Sequence, residues 1–227
     1  MQKEVVVLSL GGSLIVPDRI DTDFLKKFRE IINKNKKNYK FVIVCGGGSV
    51  ARKYIQALVE DNKSTYLQSL AGIAITRLNA RFLSYFFGID PEKGIPHDME
   101  QVSNLLKKND LIFCGALRYS ADQTSDATAV KLAAHLKTYF INLTNVKGLY
   151  DRDPSKKGAK FISRTSIEDF NKIVTAIPNK PGMHAPVDHV AMQVIKKHKI
   201  KTYILGRDLK NLDNLLNNKD FIGTTIE

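Results

Sequence analysis

Short apolar runs alternate along this chain with longer stretches whose apolar residues recur at helical spacing. Val5–Leu10 is a near-continuous apolar run broken only by Ser9, which predicts a strand buried on both faces. Asp21–Asn33 carries Phe24, Leu25, Phe28, Ile31 and Ile32 on one helical face, and a polar turn over Asn35–Asn38 follows. The β-branched run from Phe41 predicts a second strand, and a helix reaches from there to about Glu60. Ser64–Gly88 reads as a long helix broken by Gly88-Ile-Asp-Pro91, and Met99–Lys107 as a short one. Leu111–Cys114, Tyr139–Leu143, Lys201–Leu205 and Gly223–Ile226 read as strands. Asp126–Leu136, Ser166–Val174, Val187–His198 and Leu209–Leu216 read as helices, and Asn179–Pro186 as irregular chain. Strands alternating with helices predict an α/β fold, a mainly parallel sheet covered on both faces. No linker divides the chain, so residues 1–227 are expected to form a single domain.

Loops rich in glycine or turn residues follow four of the strands. They are Gly11–Ser13, Gly46–Gly48, Gly115–Asp126 and Thr144–Asp153. In a parallel sheet, loops after strands share one edge, where ligands gather. The second loop is the most informative. Gly46 to Gly48 let the backbone bend and approach a ligand, Ser49 is placed to cap the next helix, and Arg52 follows one turn in. Free N–H groups at that helix start would attract an anion, phosphate above all.

Composition narrows the partners. The net charge is +12, from 35 basic and 23 acidic residues. The lysines are dispersed, with no aromatic-plus-basic cluster or basic tail, so nucleic acid is not the expected partner. A positive field that draws in small anionic substrates accounts for the balance. No run approaches the ~18–20 apolar residues of a membrane span. The first strand begins almost at once with no signal-peptide pattern ahead of it. Cys45 and Cys114 each end an apolar run, as buried thiols of a cytoplasmic protein would.

Several chemistries are excluded by pattern. G-x-x-x-x-G-K-[ST] does not occur. Gly46–Ala51 matches a dinucleotide fingerprint only formally, because a second helix follows where that fingerprint needs a strand. The five histidines are scattered and no zinc spacing is present.

Taken in order, seven motifs resemble the amino-acid kinase superfamily, and within it the archaeal-type uridylate (UMP) kinases. They are Leu10-Gly-Gly-Ser-Leu14, Gly46-Gly-Gly-Ser-Val-Ala-Arg-Lys-Tyr54, Gly72-Ile-Ala-Ile-Thr-Arg-Leu-Asn-Ala80, Thr124-Ser-Asp-Ala127, Thr144-Asn-Val-Lys-Gly-Leu-Tyr150 with Asp153-Pro154, Val187-Asp188, and Gly223-Thr-Thr-Ile226. The resemblance implies a three-layer α/β/α sandwich, ATP with Mg²⁺ as donor, a nucleoside monophosphate as acceptor, and a homohexamer built from dimers. Carried over, it implies that Gly12 and Ser13 touch ATP phosphates, with Ser13 and Arg52 as the catalytic pair. It further implies that Gly48 and Arg52 lie between the ligands, and that Thr144, Asn145, Tyr150 and Asp153 hold the ATP base and ribose. By the same resemblance, Gly47, Ser69, Ala116 and Thr124 are expected on the UMP side.

Four departures stand out. Ser9 replaces a lysine found in many relatives, and Ser69 replaces the aspartate that grips the acceptor ribose. The third loop reads Gly115-Ala116-Leu117 in place of two glycines and a threonine, and is about two residues longer. Lys147 replaces an aspartate. These leave room for a different phosphate or carboxylate acceptor, or for a nucleotide-binding paralogue without transfer. Arg77 and Asn79 could be structural or functional, and Asp126 and Asp188 could be helix-start groups or catalytic ones.

Overall fold

The computed structural model describes residues 3–90, 94–119, 124–176 and 186–227. The chain forms β1 (Glu4–Leu10), α1 (Gly12–Ile15), α2 (Thr22–Asn35), β2 (Tyr39–Cys45), α3 (Gly48–Glu60), α4 (Thr65–Phe86), α5 (Met99–Leu106), β3 (Leu111–Cys114) and α6 (Ser125–His135). It continues with β4 (Phe140–Leu143), β5 (Leu149–Tyr150), β6 (Phe161–Ile162), β7 (Arg164–Thr165), α7 (Ile167–Ala176), α8 (His189–His198), β8 (Thr202–Leu205), α9 (Leu209–Leu216) and β9 (Gly223–Ile226).

Seven strands make the central sheet in the order β3-β2-β1-β4-β8-β9-β7. β3, β2, β1, β4 and β8 run parallel, and only β9 opposes its neighbour β8. In β1, Val6, Val7, Leu8, Ser9 and Leu10 are all fully buried, and so are Phe41 to Cys45 in β2. Successive strand residues point to opposite faces, so both faces are covered. The result is the expected three-layer α/β/α sandwich. Each large apolar side chain removed from water stabilises the fold by roughly 1.5–3 kcal/mol, and Phe28, Phe41, Phe140 and Phe170 are among the largest fully buried.

The strong apolar runs predict their elements well, with Leu111–Cys114, Leu209–Leu216 and Gly223–Ile226 matched at both ends. Three differences stand out. α2 runs on through Asn35 into the expected polar turn, because the buried Asn35 amide donates to Ile31 O at 2.9 Å and to Asp213 Oδ1 at 3.0 Å. The first glycine loop closes into α1, a single helical turn. The expected loop after β4 contains β5, which pairs antiparallel with β6. Thr224 on β9 holds that hairpin, its Oγ1 accepting from Leu149 N at 2.8 Å and donating to Ile162 O at 2.5 Å. Part of the break at Pro91, part of the third loop, and most of the irregular stretch at 179–186 lie outside the described residues.

Candidate active site

The strand ends are laced together just past the sheet. Gly46 N donates to Leu10 O at 2.9 Å, Gly11 N to Leu143 O at 3.0 Å, and Thr144 N to Leu205 O at 2.9 Å. The loops after β2, β1, β4 and β8 are therefore fixed side by side on one edge. Glycine makes the closest approach possible. A Cβ on Gly46 would lie 2.6 Å from Gly12 N, and one on Gly48 would lie 2.6 Å from both C and O of Gly12. Gly48 also has φ +64, in the left-handed region that glycine alone enters at little cost. The first two glycine loops thus meet backbone to backbone.

Helix capping then singles out two helix starts on this edge. Asp21, Ser64, Asp98, Thr124, Asp188 and Asp208 each cap a helix by accepting a backbone N–H. Ser166 does the same for Asp169 N at 3.1 Å at the start of α7. Among the described residues only α1 and α3 begin on glycines, Gly11 and Gly47, with no side chain on their first N–H groups. Two uncapped helix starts in contact make one strongly anion-attracting locus. Ser49 is not the cap expected from sequence. It sits within the first turn, and its Oγ donates to Pro17 O at 2.8 Å and Val16 O at 3.2 Å, tying α3 to the chain after α1.

α4 clamps the other loops. Buried Asn79 donates from Nδ2 to Gly46 O at 2.7 Å. Thr76 Oγ1 accepts from Ala116 N at 2.9 Å, and Arg77 donates from Nε to Ala116 O at 3.0 Å and from Nη2 to Leu117 O. Arg77 and Asn79 therefore hold the second and third loops in place. The sequence carried both within the Gly72–Ala80 motif and left their role open between structure and function.

The other expected residues fall as follows. Ser13 lies half-buried in α1, and Arg52 is exposed on α3 with no ion-pair partner among the described residues. Ala116 is buried, and Ser69 is half-buried on α4. Thr144 donates to Asn145 Oδ1 at 3.3 Å. Tyr150 packs edge to face with Phe161, ring centroids 5.6 Å apart. Asp153 Oδ1 accepts from Ser155 N at 2.9 Å and Ser155 Oγ at 2.7 Å, which organises its own turn. Lys147 is exposed, and its backbone packs on Gly206 after β8.

One pairing was invisible in the sequence. Ser9, fully buried in β1, donates from Oγ to Asp126 Oδ1 at 2.6 Å across 117 residues. Asp126 does not cap α6. Thr124 does, accepting from Asp126 N at 3.1 Å, while its hydroxyl donates to Asp188. Asp188 in turn caps α8, accepting from Ala191 N at 2.8 Å. Desolvation pushes the Asp126 carboxyl up to about 6; the Ser9 hydrogen bond opposes this and the Asp188 charge adds to it.

That shift has a stability consequence. A carboxyl held near 6 when folded, against an ordinary 3.8, binds its proton more tightly in the folded state. Its contribution is complete below about pH 4 and is lost as pH rises through about 6. Asp126→Asn removes the charge and keeps the acceptor for Ser9. In nucleotide-free protein it should gain about 1–3 kcal/mol over wild type at pH 7–8, and almost nothing at pH 4. Denaturant titrations at the two pH values measure this, and an equal gain at both would contradict it.

The match to known proteins agrees with this geometry. The model of the amino acid kinase family matches residues 4–206, and the chain belongs to that family. Uridylate kinases of Thermococcus kodakarensis and Thermoplasma volcanium are 33% and 34% identical, over 98% and 99% of this chain and 99% and 98% of theirs. The crystal structure of uridylate kinase from Archaeoglobus fulgidus superposes with a TM-score of 0.84 at 32% identity, covering 99% of this chain and 100% of that one. Within the family the chain sits among the archaeal-type uridylate kinases.

Proposed function

We propose that this chain is an ATP-dependent UMP kinase, a cytoplasmic enzyme of pyrimidine nucleotide synthesis that acts as one 1–227 domain. It would transfer the γ-phosphoryl group of ATP to the phosphate of UMP, giving UDP. The supporting observation is the contact between two helix starts, α1 and α3, that carry no side-chain cap, while the other described helix starts do. Such an arrangement suits phosphoryl transfer between two anions. The acceptor phosphate has a second pKa near ~6, so its oxygen is already anionic at neutral pH and needs no general base. What remains is to hold two repelling anions in line and neutralise the charge between them.

In this reading Gly12 and Ser13 receive the ATP phosphates, and Thr144, Asn145, Tyr150 and Asp153 hold its base and ribose. Gly47, Ser69, Ala116 and Thr124 receive UMP, with Gly48 and Arg52 between. Among the described residues no group of three or more His, Cys, Asp or Glu could cage a metal ion. Mg²⁺ fits without one, since it keeps several waters and binds mostly through nucleotide phosphates and one or two carboxylates. Asp126 is the carboxylate that would face it, and the ion would add charge neutralisation at the transferring group. A homo-oligomer, hexamer or dimer, is supported by exposed apolar side chains on α3 and α4, among them Tyr54, Val59, Leu67, Leu70, Leu78 and Tyr85. No helix of the described residues is long and apolar enough to cross a membrane.

Ser69 shapes the test. Its hydroxyl offers one neutral hydrogen bond, weaker than the charge-assisted bond of a carboxylate. A coupled assay with ATP, Mg²⁺ and UMP, dUMP, CMP and AMP should show turnover with UMP, and dUMP used within about tenfold of it. Ser69→Asp should widen that gap. ATP binding without turnover of any acceptor would overturn the kinase reading and favour a binding-only paralogue.

A further inference from the structure

One stripe of α4 faces the third loop. Tyr66, Ser69, Ile73 and Thr76 recur along it at i, i+3, i+7 and i+10. The loop is pinned to this stripe at Thr76 through Ala116 N. It then runs back along the helix, and Tyr119 meets Tyr66 edge to face, with ring centroids 4.8 Å apart and an interplanar angle of 86°. Ten helical residues rise about 15 Å, while three residues of chain from Ala116 to Tyr119 reach at most ~10 Å. The two tyrosine side chains close the remainder, and Ser69 and Ile73 lie between the two points of attachment.

Both rings are exposed, Tyr66 by 49% and Tyr119 by 41%. An edge-to-face pair forms a corner whose outer ring faces remain free. We propose that Tyr66 and Tyr119 form a stacking platform for the base of the acceptor nucleotide. This rests on the UMP kinase reading and deepens it. Where Ser69 grips the sugar weakly, the base must supply more of the affinity. Base-on-aromatic stacking supplies it, and tolerates a change of base because every base has a π-face. The departures on the acceptor side, Ser69 and the lengthened third loop, then belong to one altered mode of recognition.

The test uses the full chain with Tyr66→Ala, Tyr119→Ala and the two Phe variants. Each Ala variant should raise KM for UMP at least tenfold, with kcat and KM for ATP within twofold of wild type. The Phe variants, which keep the ring, should stay within twofold throughout. Ribose 5-phosphate, which has no base, is the second probe. Its inhibition constant against UMP should be the same in wild type and Ala variants; if it does not inhibit even wild type, the UMP shift decides. A UMP shift below twofold, or equal losses for both probes, would reduce the pair to a latch on the loop and overturn the platform. Calorimetric binding of UMP reads the platform even if wild type shows no turnover, which would sink the kinase reading alone. Binding at least tenfold weaker in Tyr119→Ala supports the platform; equal binding, or no binding of UMP by wild type, overturns it.

Discussion

Arg52→Ala should lower kcat by at least ~10²-fold, with a melting temperature close to that of wild type. The guanidinium is exposed one turn into α3 and has no ion-pair partner among the described residues, so its loss leaves no buried charge behind. Surface positions of this kind usually change stability by under ~0.5 kcal/mol. Its effect on transfer has a different origin. In the proposed site, charge would develop on the transferring group between two uncapped helix starts, and a planar fork of donors there is worth most in the transition state. Arg52→Lys keeps a charge but loses the bidentate geometry, so it should recover only part of the rate. Rapid-quench or steady-state assays at saturating ATP and UMP measure both. A loss below threefold in the Ala variant would remove Arg52 from the site.

How much of this was legible in the sequence varied with the range of the interactions involved. β1 and β2 are apolar runs buried on both faces, so local composition carried them. The glycine loops were legible because each follows a strand, and parallel strands put their ends together. β5, β6 and β7 are two-residue strands with no periodicity of their own. They depend on distant groups, such as Thr224 against Leu149 and Ile162. The same holds for Ser9 with Asp126. Ser9 was visible as an interruption in an apolar run, but the carboxyl that justifies it lies 117 residues away. Ser49 and Asp126 looked like helix caps by residue type, yet Gly47 and Thr124 occupy those places. In the first case the reason bears on function, because a serine cap would have filled the N–H groups that the phosphate reading requires.

Gly48→Ala should cost at least ~10²-fold in kcat/KM, and Gly88→Ala almost none, although both glycines have positive φ, +64 and +71. A Cβ in the left-handed region costs about 1–2 kcal/mol at either place. That shared strain should lower both melting temperatures, by a few degrees for a chain of this size. The surroundings separate them. At Gly88 a new Cβ meets nothing within 4 Å, so backbone strain is the whole effect. At Gly48 it lies 2.6 Å from the carbonyl carbon and oxygen of Gly12, which belong to the first glycine loop. Those are backbone atoms that cannot rotate away, so the loops must part. Under the proposed function, parting them would misalign the two anions, and a displacement of about 1 Å is enough for a ~10²-fold loss. The pair of variants therefore isolates the fusion of the two loops from glycine strain in general. Equal activity in both would mean that the contact between Gly12 and Gly48 does not set the geometry of transfer.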